Sequence, residues 1–211
     1  MSEHRLRIEE EREPVPGRGA GSVGGGTTRD NLVRAALRLA AEQGIDGVSV
    51  RSIARAAGVT EGALYKHFSS KDALWRDAYG AIVAEMIEEK QRLLGERMST
   101  RERIAAWVRL TYAYYDGNKD AFTYVLLLPH PFAEELGEEY HAQGRLFEEL
   151  IERGRGAGEV DTSMGVGLAR SLFVGMLLSV PAQINEGGLK GPALEYADEV
   201  TAGAWRVLGV R

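Results

Sequence analysis

Apolar residues recur every three or four positions from Thr27 to Leu208, and this spacing predicts α-helices along almost the whole stretch. The first helix is expected to end at Gly44, because glycine readily adopts the left-handed conformation that often follows a helix. The apolar stripe of this helix consists of Leu32, Ala36, Leu39 and Ala40. The sequence has no alternating strand pattern and no internal repeat, so we predict an all-α fold with about nine helices.

A pair of short helices joined by a tight turn is predicted for residues 50–71, VRSIARAAGVTEGALYKHFSSK. Ser49 can cap the first helix and Thr60 can cap the second, since both side chains accept hydrogen bonds from free backbone N–H groups. Gly58 lies where the turn needs a backbone without a side chain. The segment therefore has the layout of a helix-turn-helix motif.

The second helix of this pair has one apolar face and one polar face. Leu64 and Phe68 are one helical turn apart and would anchor the helix to the core. The side chains on or near its outer face are Thr60, Glu61, Gly62, Tyr65, Lys66 and His67. They are short, polar or aromatic, which suits contact with DNA phosphates and base edges.

Longer helices are predicted after this pair. The first begins in the run of residues 69–72 and ends near Leu94. Ser69 and Asp72 have the spacing of a capping box, with Asp in place of the usual Glu. The others are expected over residues 100–116, 119–128, 131–154, 162–186 and 192–208. We therefore expect residues 27–74 to form a small helical head and residues 75–211 to form a larger helical body.

The composition is typical of a soluble globular protein, with 44% hydrophobic and 27% charged residues among 211. The sequence contains no cysteine, which excludes disulfides, cysteine-ligated zinc and thiol nucleophiles within it. Residues 1–26 have no apolar core, and six of the ten residues from Gly17 to Gly26 are glycine. We therefore predict a disordered Gly-rich tail, no secretory signal and a cytoplasmic location.

The charge of the chain is unevenly distributed. The net charge is −5, but residues 27–74 hold seven Lys and Arg against five Asp and Glu, a local excess of +2. Residues 75–211 hold fifteen against twenty-one, a net of −6. A basic head on an acidic body is the pattern expected of a DNA-binding protein, although the excess is small.

The most apolar stretch, Met164 to Ile184, is long enough to span a membrane. It also contains Arg170, Pro181 and Gln183, and a charged residue within a span is energetically costly. We therefore favour a buried helix in the core or at a subunit interface, and we predict no membrane contact.

The head resembles the TetR family of bacterial transcriptional repressors. The likeness rests on a first helix that ends AAEQG and on the run VSVRSIARAAGVTEGALYKHFSSKDAL, which leads into a long helix. Within that run, Gly62 to Phe68 followed by Lys71 is similar to the recognition-helix signature of the family. The likeness is specific over roughly residues 28–75, and beyond them only the number and lengths of the helices agree.

This resemblance implies a homodimer that places two recognition helices in successive major grooves of a palindromic operator in double-stranded DNA. It also implies that residues 27–74 bind DNA and that residues 75–211 bind a small-molecule inducer. The inducer would change the separation of the two heads and release the DNA. The resulting hypothesis is a ligand-responsive repressor that is not an enzyme and has no cofactor.

The resemblance also implies DNA contacts for individual residues. Tyr65 would touch phosphate or a thymine methyl group, with packing against the first helix as the alternative. Lys66 and His67 would face the same groove, and Glu61 would either accept a hydrogen bond from cytosine or cap its helix. Lys71 would grip a phosphate at the start of the long helix. The full expected set is Thr28, Arg29, Ser49, Arg51, Thr60, Glu61, Gly62, Tyr65, Lys66, His67 and Lys71.

Aromatic residues of the body recur at helical spacing, which is typical either of plain core or of the walls of a ligand pocket. The candidate ligand-binding residues are Trp107, Tyr112, Tyr115, Phe122, Tyr124 and Met176. Residues 162–186 and 192–208 are the predicted dimer helices. The first of them is apolar on too many sides for the surface of a monomer, and two such helices from each subunit could form a four-helix interface.

A metal-binding helical-bundle enzyme is the alternative function. Glu138 and His141 form a Glu-x-x-His pair, but a di-metal carboxylate site would need this motif twice. The motif occurs once, on a strongly acidic helix, so we favour a solvated helix face and predict no metal. A third alternative is an interaction module that keeps the fold without binding DNA, and the outward Tyr65, Lys66 and Lys71 argue against it.

Overall fold

The computed structural model describes residues 27–130, 138–161 and 163–210, and for residues 138–140 it describes the backbone alone. Nine α-helices lie in these ranges, which confirms the predicted fold class. Their bounds are α1 Thr28–Gln43, α2 Val50–Ala56, α3 Glu61–His67, α4 Lys71–Gly95, α5 Thr100–Gly117, α6 Lys119–Phe122, α7 Glu138–Gly156, α8 Val166–Asn185 and α9 Ala197–Leu208. The tail predicted for residues 1–26 lies outside the described residues.

Side-chain caps define the starts of the three head helices. Thr27 and Asp30 form a reciprocal capping box at the start of α1. Ser49 and Thr60 cap α2 and α3, as predicted, and each accepts a hydrogen bond from the backbone N–H three residues later. Gly58, between α2 and α3, has a φ of +71°, a conformation in which any side chain would be strained. These local features give the helix-turn-helix its bend.

The three head helices share one small core. Leu32 of α1, Ile53 of α2 and Leu64 of α3 are completely buried, and Phe68 at the end of α3 is nearly so. The predicted anchoring of α3 by Leu64 and Phe68 is therefore confirmed. Because these two side chains occupy the inner face of α3, its other face points away from the core.

The start of α4 differs by one residue from the prediction. Ser70, and not Ser69, is the N-cap, and its hydroxyl oxygen accepts a hydrogen bond from the Ala73 N–H at 3.0 Å. Asp72 therefore lies in the first turn, where a carboxylate interacts favourably with the helix dipole without forming a capping box. The helix continues to Gly95, so one helix connects the head to the body.

The segment after α5 is helical over the predicted extent, but only its first half is an α-helix. After α6 the backbone makes one π-helical turn over Thr123–Leu127, closed by a hydrogen bond from the Leu128 N–H to the Thr123 carbonyl at 3.0 Å. Within this turn, Tyr124 stacks on Trp75 of α4 and donates its hydroxyl proton to the Trp75 carbonyl oxygen at 2.8 Å. The turn is therefore fixed to the head end of α4.

The body is a bundle in which α4, α5, α7 and α8 surround an aromatic core. Phe147 of α7 stacks on Phe173 of α8 with ring centroids 4.1 Å apart, and Trp107 of α5 meets Phe147 edge-on at 5.6 Å. The predicted start of α7 lies outside the described residues. Its end, at Gly156, is two residues later than predicted.

The last two helices are shorter than predicted. Helix α8 begins at Val166, and residues 192–208 form a 3-10 turn over Ala193–Tyr196 before α9 begins. Throughout the described ranges no β-strand is present, and the only extended pairing is an isolated bridge between Val160 and Val210. The absence of a strand pattern in the sequence agrees with this.

Candidate DNA-binding surface and ligand cavity

The outer face of α3 carries a compact set of exposed side chains. Tyr65 is 54% exposed, and Lys66 and His67 beside it are exposed as well. Glu61 and Gly62 are exposed in the first turn, and a Cβ at Gly62 would meet only the Thr60 hydroxyl oxygen, at an ordinary contact distance of 3.9 Å. This surface combines an aromatic ring, two basic or titratable groups and an unobstructed backbone at one helix. The alternative in which Tyr65 packs against α1 does not fit this exposure.

Residues at the neighbouring helix starts border this face. Thr28 and Arg51 are exposed in the first turns of α1 and α2. Ser49 and Thr60 are exposed too, although their hydroxyl oxygens already accept the capping hydrogen bonds. The Ser49 hydroxyl also donates to the Ser52 hydroxyl oxygen at 3.2 Å, so it would have to exchange this partner for a phosphate. The Thr60 hydroxyl still has its proton to donate, so capping does not prevent its contact with a phosphate.

Two of the expected phosphate ligands also have partners within the chain. Arg29 forms an ion pair with Asp77 of α4, and its guanidinium lies 5.3 Å from the centre of the Phe68 ring. Lys71 is half-buried and donates a hydrogen bond from Nζ to the Val48 carbonyl oxygen at 3.0 Å. Both side chains therefore help to hold the head together, and their DNA contacts remain predictions.

A cavity of about 250 Å³ lies in the body among α4, α5, α7, α8 and the segment that follows α6. Most of its wall is apolar or aromatic, and Trp107, Val125, Phe147, Phe173 and Leu177 are among the lining residues. Pockets of this kind, with an apolar wall and a few polar groups, are the usual form of a small-molecule site.

Lys90 provides the main cationic group of this cavity. Its side chain is 3% exposed, and Nζ donates a hydrogen bond to the Gln143 Oε1 atom at 2.8 Å. Nζ also lies 5.2 Å from the centre of the Trp107 ring, a cation–π distance. Burial lowers the pKa of Lys90 to about 8, against a smaller opposing effect of Glu89.

The other polar groups of the cavity come from α8, α7 and the segment after α6. Arg170 of α8 forms an ion pair with Glu148 at 2.8 Å. His130 meets Tyr79 edge-on at 4.8 Å between ring centroids, and burial lowers the pKa of this histidine. His141 of α7 also lines the cavity. The cavity therefore joins a long apolar wall to a polar, mainly basic region.

The outer face of α8 exposes apolar side chains. Leu168 is 57% exposed and Leu172, one turn later, is 39% exposed. Only 28% of the most apolar 18-residue window of α8 is buried, and within the described ranges α8 is the one helix whose length and composition would allow a membrane span. Two exposed leucines on successive turns of such an apolar helix indicate a contact surface.

The family assignment rests on two comparisons. Residues 32–78 match the family described as bacterial regulatory proteins, tetR family. The chain is also 30% identical over 178 residues to the tetracycline repressor protein class A from transposon 1721 of Escherichia coli, an alignment that covers 80% of this chain and 74% of that protein. The chain belongs to the TetR family. The resemblance seen in the head is thereby confirmed and extends into the body.

Two further proteins are similar to this chain. The transcriptional repressor KstR2 of Rhodococcus jostii is 29% identical over 93 residues, which are 44% of this chain and 46% of KstR2. The chain therefore spans about half the length of that relative. The fatty acid degradation regulator FadR from Bacillus halodurans has a TM-score of 0.76 at 21% identity, over 90% of this chain and 100% of FadR. This likeness shows a shared TetR fold and does not carry a ligand over.

The structure brings one of the six candidate ligand-binding residues, Trp107, to the cavity. The other five lie elsewhere in the described part of the body, because their side chains fill the space between helices. Tyr115 bonds to Asn185, and Tyr124 bonds to Trp75. The five residues outside the cavity are Tyr112, Tyr115, Phe122, Tyr124 and Met176.

The polar residues of the cavity were not among the six candidate ligand-binding residues, although the sequence contains a signal for the most important of them. Ile82, Met86, Lys90 and Leu94 follow one another at intervals of four, and all four are buried on the same side of α4. A lysine within an apolar stripe is rare, since charged residues are almost never fully buried without a partner. The apolar stripe of α4 therefore marks Lys90 as a buried, functionally interesting lysine. The polar residues that α7 and α8 add to the cavity can be recognised only once the fold is known.

The alternative function, a metal-binding enzyme, requires a set of side chains that could hold a metal ion. The side chain of Glu138 lies outside the described residues, and His141 faces the cavity. No group of three or more His, Cys, Asp or Glu side chains that could hold a metal ion occurs in the described part of the chain. His141 thus has a location that its acidic helix alone did not predict.

Proposed function

We propose that this member of the TetR family is a cytoplasmic, ligand-responsive transcriptional repressor that is not an enzyme. It would bind a palindromic operator as a homodimer and be released by a small-molecule inducer. The observation that carries this proposal is the exposed outer face of α3, with Tyr65, Lys66 and His67 projecting from a helix whose inner face is anchored by Leu64 and Phe68. A rigid helix with such a face suits the major groove.

The proposed phosphate contacts flank the recognition helix α3. The Lys71 ammonium has three protons and uses one for the Val48 carbonyl, so two remain for a phosphate. Arg51 is exposed at the start of α2, and Thr28 is exposed at the start of α1. These groups would set the position of α3 on the duplex, while Tyr65 and its neighbours would read the bases.

We propose that α8 and α9 form the homodimer contact. The exposed Leu168 and Leu172 of α8 and Val207 of α9 supply apolar surface for it. A second copy of the chain is the occupant that fits best, because two recognition helices must be held at a fixed distance to reach successive major grooves. A membrane is disfavoured as the occupant because Arg170 lies within α8, where it pairs with Glu148.

The segment after α6 is the proposed route from ligand to DNA. Val125, Leu126 and Leu128 line the cavity, while the neighbouring Tyr124 is bonded to Trp75 at the head end of α4. A ligand that displaces this segment would also move the start of α4, and with it the attached head. A change in the separation of the two heads would then weaken operator binding.

Selection of bound sequences from a random pool of duplex DNA tests the proposal. We expect a palindromic consensus whose half-sites are about one helical turn apart, with 10 to 10.5 base pairs between their centres. Tyr65→Ala is the matched control, since it alters the outer face of α3 and leaves the core untouched. A pool without enrichment, or the same enrichment with Tyr65→Ala, would count against a DNA-reading role for α3.

A reporter gene behind the selected operator distinguishes repression from activation. The proposed repressor lowers reporter output when it is expressed, and Tyr65→Ala restores that output. An increase in output with the unaltered protein would instead make the protein an activator.

A further inference from the structure

Among the described residues, the buried ammonium group of Lys90 has no counter-ion. Its hydrogen-bond partner there is the neutral side chain of Gln143, and Trp107 provides a cation–π contact. No carboxylate in the described ranges forms an ion pair with it, and the other cation of the cavity, Arg170, is already paired with Glu148. An unpaired buried charge is costly, so an anionic partner would relieve a cost already present in the empty cavity.

Gln143 can serve as a second donor for such an anion. Its Oε1 accepts a hydrogen bond from Lys90, and its Nε2 donates one to the Met86 sulfur at 3.3 Å. A thioether sulfur is a weak acceptor, so it satisfies this amide proton poorly. The second amide proton needs an acceptor as well. A carboxylate near Lys90 could accept from both side chains, and two charge-assisted hydrogen bonds fix its position.

The rest of the cavity suits an apolar chain. Phe147, Phe173 and Leu177 extend the wall beyond Trp107, and the Phe147 and Phe173 rings stack in parallel. At about 30 Å³ for each water-sized group, a volume of 250 Å³ holds roughly eight such groups. This volume suits a short aliphatic acid.

We infer that the cavity binds a small apolar carboxylic acid, with the carboxylate on Lys90 and Gln143 and the hydrocarbon chain against the aromatic wall. The role of this acid as the inducer rests on the proposed function. Its binding does not, because binding can be measured in the absence of DNA.

Calorimetric titration of the full chain with octanoate and octanol tests this inference. The two probes have similar hydrocarbon chains and differ in the charged head. We expect octanoate to bind about tenfold or more tightly than octanol, the difference typical of a buried charge-assisted hydrogen bond. Equal binding of the two probes, or no binding of octanoate, would overturn the inference.

Lys90→Met removes the ammonium group and keeps the length of the side chain. We expect it to weaken octanoate binding about tenfold or more and to change octanol binding less than about threefold. Lys190→Met is the matched control, because Lys190 is exposed and lies away from the cavity lining. Unchanged octanoate binding in Lys90→Met, or the same loss in Lys190→Met, would contradict the assignment.

Gln143→Glu supplies an internal carboxylate where the ligand is expected. The new carboxylate would stand within hydrogen-bond distance of the Lys90 ammonium and compete with octanoate, whereas octanol binding would persist. Persistent octanol binding also shows that the variant is folded. Undiminished octanoate binding by this variant would exclude Lys90 and Gln143 as the anion site.

Release of operator DNA is measured separately and distinguishes the two proposals. Lys90-dependent octanoate binding without DNA release would leave the acid site intact and reject its role as inducer site. DNA binding that follows the palindromic consensus, without octanoate binding, would support the repressor and reject the acid site.

Discussion

The outer face of α3 and the cavity of the body are both candidate binding sites, and they differ in how their polar groups are supported. Around α3, Tyr65 and Lys66 are exposed to water. In the cavity, Lys90 is buried away from water. Among the described residues it has no counter-ion, and its hydrogen-bond partner is one neutral side chain, that of Gln143. A solvated group has little effect on stability, whereas a buried charge without a counter-ion lowers the stability of the ligand-free protein.

The two sites also differ in what their function requires of the fold. The face of α3 needs one anchored helix, and Leu64 and Phe68 provide the anchor within four residues of each other. The cavity needs side chains from four helices and from the π-helical turn. A substitution on the outer face of α3 should therefore change DNA binding without changing stability, and a substitution in the cavity should change both ligand binding and stability.

Separating the two subunits should give the largest effect. Leu172→Glu places a charge on the apolar face of α8, and we expect a monomer whose operator affinity is lower by about a hundredfold or more, because the two heads no longer bind as a linked pair. Light scattering and an operator titration measure the two changes.

Ala84→Glu on the exposed side of α4 adds the same charge outside the proposed interface and should alter neither property. A dimeric Leu172→Glu variant with full operator affinity would show that the apolar face of α8 serves another purpose.

The next largest effect should come from Lys90, through stability. The folded pKa of about 8 lies below the unfolded value near 10.5, so the folded protein loses its proton first as the pH rises. Stability should therefore fall as the pH drops from about 10.5 to about 8 and stay nearly constant below that range. Lys90→Met should be more stable than the unaltered protein by about 3 kcal/mol at pH 7.

The pH dependence identifies the cause of this difference. Between pH 7 and pH 9 the unaltered protein should gain about 1.4 kcal/mol relative to Lys90→Met, which corresponds to one pKa unit. Urea unfolding at both pH values measures it. Lys66→Met, on the exposed face of α3, should show no such pH-dependent difference, and a constant difference for Lys90→Met would mean that packing, not charge, is responsible.

The head could be predicted from the sequence because its signals are local. The caps at Ser49 and Thr60, the turn at Gly58 and the outward direction of Tyr65 each depend on residues within one or two helical turns. Hydrogen bonds and helical periodicity act over such distances, so a single stretch of sequence contains the whole pattern.

The cavity could be predicted only in part, because long-range packing decides which aromatics enclose an empty space. Tyr112 and Tyr124 have the same helical spacing as Trp107, but the fold places them in solid core. The π-helical turn after α6 escaped prediction for a similar reason, since its apolar sequence fits either kind of helix. Lys90 was not predicted either, although its position in an apolar stripe of α4 is a local signal that the sequence contains.

Tyr65 tests the head alone. Tyr65→Ala should weaken operator binding by about ten- to a hundredfold, because an aromatic contact and a hydroxyl group are both lost, and the melting temperature should change little at this exposed site. Tyr65→Phe removes only the hydroxyl group, so it separates a hydrogen bond to phosphate from contact with a thymine methyl group. Parallel losses of stability and binding in Tyr65→Ala would place the ring in the core of the head after all.

Lys71 should give the smallest change, and it is the residue that most sharpens the comparison, because it has a role in both stability and binding. Lys71→Ala should lower operator affinity for all sequences and reduce the magnitude of the salt slope by about 1. It should also lower stability by about 1 kcal/mol through loss of the bond to Val48, whereas Lys66→Ala should leave stability unchanged. Operator titrations at several salt concentrations, together with urea unfolding, measure the two effects. An unaltered salt slope with reduced stability would assign the Lys71 ammonium to the fold alone, because a group that releases no counter-ion touches no phosphate.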